Sequence, residues 1–319
     1  MERERIENVD APFGFGPDGS RRGGPGGSRR GDAYDGSRLG PADNDWMPWT
    51  AFAALVGALV LAAVGSLIVD IPALALGVKI TSEHVPHGVE LADTIVQDLA
   101  FVVTVVLFAH VGGRAVRSWQ FGLRPSRLRL ARTALAVVGA YVAFFIFSAM
   151  WAAILHVSTK EELLKALGAN ETTVLLAFSA LLTTVIAPIC EETLFRGYIF
   201  AALSKWRGWL PAAALTGVLF GVIHAGSAPA ADLVPLAVLG FMLCWLYRVT
   251  GSLYSCIAAH SLNNSIAFGA LEGWLWWQIA LLAIGALATI GLIGLLLARM
   301  GVISAVSTDL PIVSGSSYS

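Results

Sequence analysis

Charge is what this chain has least of. Asp, Glu, Lys and Arg make up 13% of its 319 residues, about half the share of an ordinary soluble domain. That scarcity excludes a conventional water-soluble enzyme built on two domains, which length alone would suggest. Cysteine is scarce too. Cys190, Cys244 and Cys256 all fall inside apolar runs, where a free thiol packs as a small hydrophobe, so no disulfide framework is expected. Two common hydrolytic signatures are missing as well: there is no Gly-x-Ser-x-Gly elbow and no His-Glu-x-x-His pair, which removes the usual serine-hydrolase and zincin routes. The first 45 residues have no apolar core of the kind a cleaved signal needs.

What the chain has in abundance is apolar sequence. Hydrophobic residues reach 56% and mean hydropathy is +0.70, and they come in runs of about 20, long enough to cross a hydrocarbon core of about 30 Å. The pattern predicts an all-α, polytopic membrane bundle of about eight transmembrane helices, at 49–69, 91–111, 133–157, 174–205, 211–225, 232–247, 252–270 and 274–298. Pro188 interrupts the fourth, which is expected to kink or tilt there. Residues 1–45, rich in Gly, Arg and Asp, cannot bury enough surface to offset chain entropy and are read as a disordered cytoplasmic tail. Residues 46–303 form the transmembrane domain, and 304–319 a polar carboxyl-terminal tail. No internal repeat is visible. Trp274, Trp276 and Trp277 suit an interfacial aromatic belt.

Basic residues concentrate on the cytoplasmic side of membrane proteins. With both termini inside, 18 of the 21 Lys and Arg fall on the inner side or on helices leading to it. Only Lys79, Lys160 and Lys165 fall outside. The chain is therefore expected in a cell membrane, with amino and carboxyl termini cytoplasmic.

Ionisable groups inside a bilayer cost roughly 2.5–3.5 kcal/mol each on insertion scales and are functional candidates for that reason. The fourth span carries Glu191, Glu192 and Arg196, the fifth His224, and the seventh His260, Asn263 and Asn264. Glu192 and Arg196 stand four apart with the acid first, so they share a helix face and can neutralise each other. Glu191, about 100° round the helix, is then left uncommitted for general-base work. His260 and Asn264 also share a face, and Phe220 sits one turn before His224 and can support its ring. At about 1.5 Å per residue, Glu191, His224 and His260 lie roughly 21, 20 and 12 Å from the inner ends of their spans, so the three helices can share one site.

A carboxylate and an imidazole can activate water, while a second imidazole and an amide can stabilise an oxyanion. These parts suit water attack on a peptide carbonyl, in a cavity expected to open inward. Cys190 is read as packing, Asn263 as a helix contact, and His84, His87, His110 and His156 as unremarkable rings near span ends. Asp93 and Asp98, on the second span, are read as water-facing or inter-helix groups, with a proton path as the alternative.

At these residues the chain resembles the CAAX protease and bacteriocin-processing family, the Rce1-like intramembrane endopeptidases. The family pattern of Glu-Glu-x-x-x-Arg, Phe-x-x-x-His and His-x-x-x-Asn is met in order by Glu191-Glu192 to Arg196, Phe220 to His224, and His260 to Asn264. The likeness covers roughly residues 175–270. It implies that Glu191 and His224 activate the water, that His260 and Asn264 form the oxyanion hole, and that Glu192, Arg196 and Phe220 support them.

The resemblance implies no organic cofactor. Zinc held by Glu191, His224 and His260 is the alternative, with Asn264 a poor ligand for it. The implied partners are a peptide or membrane-anchored protein substrate and the lipid bilayer, with no nucleic acid; oligomeric state is left open. An Arg/Ala/Gly-rich chain suits a bacterial plasma membrane, where prenylated substrates are not expected, and bacteriocin-like peptides are the family's other theme. The competing reading is a non-enzymatic membrane scaffold or immunity protein on the same fold.

Overall fold

The computed structural model describes residues 46–81, 85–111, 116–155 and 173–303. The tails expected at 1–45 and 304–319, together with Lys160, Lys165, His84 and His156, lie outside the described residues.

Among the described residues, eight long helices follow one another, each near a run read from the sequence. They are α1 (Pro48–Ala75), α2 (His87–Ala109), α3 (Leu130–Leu155), α4 (Thr173–Arg207), α5 (Trp209–Ile223), α6 (Leu233–Thr250), α7 (Leu253–Leu271) and α8 (Trp276–Arg299). Six of the helical stretches are long and apolar enough to cross a membrane: α1, α2, α3, α4, α8, and α6 with the short turn before it. The other two helices have separate reasons for falling short. α5 has only 15 residues, and α7 carries the polar groups His260, Asn263 and Asn264. Large apolar side chains such as Val60, Leu107, Phe145, Ile284 and Leu295 point outward, as expected of helices apolar on every side and solvated by lipid. The protein is a multi-pass helical membrane protein.

Helix α4 is the central pillar and packs against α1, α2, α5, α6, α7 and α8. Its stretch Leu194–Leu203 is buried all round. The expected disturbance at Pro188 takes a different form from a break. α4 runs continuously through Pro188 but widens into π-helix at Leu182–Ile186 and again at Thr193–Phe200. Proline supplies no N–H and crowds the preceding turn, and a π-bulge relieves both within a continuous helix.

Connections at the two ends differ. At one end, α4 turns into α5 through Gly208 alone, at φ +81°, a conformation that glycine adopts without Cβ strain. The α6–α7 turn lies at the same end and is clamped by the segment that leads into α3. Arg127 N–H donates to Thr250 O (2.8 Å), Arg124 Nε–H to Gly251 O (2.9 Å), and Leu253 N–H to Gly122 O (2.7 Å). A short 3₁₀ turn, Ser118–Phe121, packs through Phe121 against Trp46, whose ring also lies tilted against Tyr198. The opposite end holds the α1–α2, α5–α6 and α7–α8 connections, and Trp151 near the end of α3 donates to Ala231 O there (2.8 Å).

A buried carboxylate–imidazole cluster as candidate active site

The polar groups of α4 and α7 meet inside the bundle. Glu192 and Arg196 are fully buried, and Arg196 Nη1 donates to Glu192 Oε1 at 2.7 Å. Helical i,i+4 spacing delivers this pair, as its sequence order suggests. Arg196 Nη2 donates further to Gly240 O of α6 (3.1 Å), and its guanidinium lies over the Phe220 ring, 4.6 Å from the centroid. The pair thus ties α4 to α5 and α6.

The same Glu192 oxygen accepts from His260 Nδ1 at 2.8 Å. A carboxylate committed to an arginine can only accept, so Nδ1 carries the proton and Nε2 is turned away from Glu192. That nitrogen stands 3.9 Å from Glu191 Oε2, too far for a direct hydrogen bond and near enough for one water to bridge. Glu191 Oε2 has no hydrogen-bond partner, and the residue is 7% exposed.

His224 reaches the group differently. It caps the carboxyl end of α5, where its Nδ1 donates to Phe220 O at 2.7 Å. A carbonyl only accepts, so His224 Nε2 is its free nitrogen. The Phe220 ring packs against both imidazoles, with centroids 4.9 Å from His224 and 5.7 Å from His260. Phe220 therefore supports His224 through its backbone as well as its ring. His224 itself is half-buried and makes no ion pair with Glu191.

Asn264 is positioned by the irregular part of α4. Ala187 N–H bonds to Leu182 O in the π register. The next donor in that register would be Pro188, which has none, so Thr183 O is left over; in an α register the orphan would be Thr184 O. Helix α7 fills both positions: Asn264 Nδ2 donates to Thr183 O (2.9 Å) and Ser261 Oγ to Thr184 O (2.6 Å). Asn263 in turn donates to Asn264 Oδ1 (3.2 Å), consistent with a contact role. One N–H of the Asn264 amide remains beyond its bond to Thr183.

Asp98 is the group whose importance the sequence hides. It is 1% exposed, both its carboxylate oxygens lack hydrogen-bond partners, and it repels Glu191 electrostatically. It does not face water. A lone Asp on an apolar span gives no sign of which helix it meets, so only the packing of α2 on α4 identifies its neighbour. Asp93, nearer the start of α2, lies near Ser66 of α1 instead. Cys190, Cys244 and Cys256 are buried, free thiols.

Among the described residues, no three His, Cys, Asp or Glu side chains converge closely enough to hold a metal ion. Glu191 and His260 face each other, but His224 does not join them in a group able to hold an ion, so the three do not fit a zinc site as arranged.

The fold and cluster define a class: a polytopic helical membrane protein with a carboxylate, imidazole and amide group enclosed in its bundle. Within that class, residues 173–266 match the profile of the Rce1-like type II CAAX prenyl endopeptidases. The chain is also similar to the candidate membrane peptidase YdiL of Bacillus subtilis (strain 168), 31% identical over 85 residues, covering 27% of this chain and 34% of that protein. It is similar to the UPF0177 protein YxdF of Lactococcus lactis subsp. lactis (strain IL1403), 30% identical over 88 residues, covering 28% of this chain and 47% of that protein. The matched part thus spans between a third and a half of each relative. No solved structure matches the chain.

Proposed function

We propose that this protein is an intramembrane endopeptidase in which Glu191 activates the attacking water. The observation that carries the reading is the asymmetry of two adjacent acids. Glu192 is committed through Oε1 to both Arg196 and His260, while Glu191 bonds to neither, its Oε2 buried, unbonded and 3.9 Å from His260 Nε2. A buried group without a partner costs stability, and a water held between that oxygen and the imidazole would satisfy both. The family match over 173–266 and the name of YdiL support the same activity.

In this reading Glu191, assisted by His224, takes a proton from water as the oxygen attacks the scissile carbonyl carbon. The oxyanion receives hydrogen bonds from His260, with Nε2 protonated, and from the remaining Asn264 N–H. Collapse of the tetrahedral intermediate breaks the C–N bond, and the proton held by Glu191 passes to the departing amine. Glu192, Arg196 and Phe220 hold the two imidazoles in place. The substrate is a peptide or a membrane-anchored protein.

One distance favours a second assignment of roles. His260, not His224, is the imidazole beside Glu191, so the water-binding pair is then Glu191 with His260, and His224 faces the substrate.

The test is cleavage of a quenched-fluorescent peptide library by the purified protein in lipid vesicles. Glu191→Ala and His260→Ala are expected to abolish cleavage. Undiminished biological function in both variants would favour a scaffold or immunity protein without catalysis. Loss of the water-binding pair with substantial activity left in His224→Ala would select the second assignment.

A further inference from the structure

Glu191 and Glu192 have company inside the bundle. Among the described residues, the buried charged side chains are Asp98, Glu191, Glu192 and Arg196, joined by the imidazole of His260. Arg196, Glu192 and His260 are bonded in series, and His260 faces Glu191. Asp98 comes to the same place from α2. Phe101 and Val105, one and two turns on along its own face of that helix, belong to the apolar core that includes Leu194 and Phe195 of α4. This packing turns Asp98 toward α4, where its charge acts on both Cys190 and Glu191.

Ionised throughout, these groups set three negative charges against one positive. A carboxylate held out of water without a counterion is costly, and such a group takes up a proton instead. Two of the three acids have reasons to keep their charge. Glu192 Oε1 accepts from both Arg196 and His260, and donors to the ionised form hold a carboxyl ionised. Glu191 lies 3.9 Å from His260 Nε2, so a proton on that nitrogen places a cation opposite it.

Asp98 has neither kind of support. It is fully buried, and neither of its oxygens has a hydrogen-bond partner. From α4 it is faced by Glu191 and the Cys190 thiol. The other acids of α1 and α2 lie toward the connection between those helices, with Asp93 beside Asp70 and Glu90 against His87.

We infer that Asp98 is a positioning residue of the same site: a neutral carboxylic acid on α2 that holds the proton of the Asp98–Glu191 pair and so keeps Glu191 ionised. The burial and the excess of acids stand by themselves; the meaning for catalysis rests on the peptidase reading. There Glu191 can take a proton from water only if it starts without one. Asp98 neither gives nor receives a proton during turnover. It differs in this from an acid retained for stability, because an unbonded buried carboxyl contributes nothing that an apolar side chain of similar size would not.

Two measurements test the assignment, and the first needs no activity. In infrared spectra of the full-length protein carrying isotope-labelled aspartate, near neutral pH in an ester-free detergent, the C=O stretch of an un-ionised carboxyl is expected. It should shift with the label and disappear in Asp98→Asn. A spectrum in which Asp98→Asn removes no such band overturns the proposal. In the peptide-cleavage assay, Asp98→Leu is expected to keep or raise the melting temperature and leave KM near the parent's. Its kcat should fall about ten- to a hundredfold, the worth of one polar contact to a charged group. Asp98→Asn, neutral and still able to donate, is expected to recover most of that loss. Parent-like kcat in Asp98→Leu, or an equal loss in Asp98→Asn, overturns the positioning role. Absence of cleavage in the parent protein would remove the peptidase reading and leave the infrared result standing, so the two failures are distinguishable.

Discussion

Glu192 on α4 and His260 on α7, 68 positions apart in the chain, are joined by a hydrogen bond of 2.8 Å to the same carboxylate oxygen that binds Arg196. One buried acid therefore both neutralises an arginine and sets the orientation of an imidazole. Its neighbour Glu191 does neither. The two acids should fail in opposite ways when replaced.

Glu192→Ala leaves Arg196 charged and buried without its counterion. Breaking a buried pair from one side costs about 3–5 kcal/mol, so the variant is expected to unfold well below the parent in detergent thermal-shift measurements. Glu192→Gln should recover part of the loss by keeping a hydrogen bond to His260.

Glu191→Gln is expected to leave thermal stability unchanged or slightly raised, since Oε2 has no partner to lose and Asp98 no longer faces a second carboxylate. Cleavage should fall by about 10²–10⁴, the usual contribution of a general base. A large drop in melting temperature would recast Glu191 as structural.

Asn264→Ala removes the donor to Thr183 O. A buried carbonyl left unsatisfied costs about 1–3 kcal/mol. Pro188→Ala restores an N–H to α4 and supplies a competing donor for these carbonyls. Combined with Asn264→Ala it should therefore destabilise less than the sum of the single changes, a coupling that a double-mutant cycle in thermal unfolding measures directly.

Gly217 on α5 lies against the backbone of α6: a Cβ there would sit 2.6 Å from Ala237 O, and one on Gly240 would sit 2.9 Å from Gly217 Cα. Small residues let membrane helices approach this closely. Gly217→Val is expected to cost about 1–3 kcal/mol through overpacking and to lower cleavage by displacing His224 at the end of the same helix.

Chelation with EDTA should leave cleavage intact, and elemental analysis of the purified protein should find metal far below one equivalent. Loss of activity on chelation, with recovery on adding zinc, would mean that Glu191, His224 and His260 converge on an ion after a rearrangement of α5.

Local spacing made much of this legible in advance. The i,i+4 pair of Glu192 and Arg196, the one-turn relation of Phe220 to His224, and the apolar runs of the eight helices are all properties of a single helix, and a sequence displays them. What joins one helix to another was not visible in the same way. Neither the bond from Glu192 to His260 nor the position of Asp98 beside Glu191 follows from any spacing, because each depends on how two helices are rotated against each other. Pro188 announced a disturbance, but a kink and a π-bulge satisfy the same missing N–H, and the choice between them was made by donors on α7.

The orphaned carbonyls of α4 bear on how the protein is assembled in the first place. α7 is not apolar enough to count among the membrane-crossing helices, and its serine, histidine and asparagine side chains find their partners on α4. Lipid alone offers those groups nothing. During biogenesis α7 can settle only once α4 is beside it, so the helix that completes the cluster is retained by the machinery it completes.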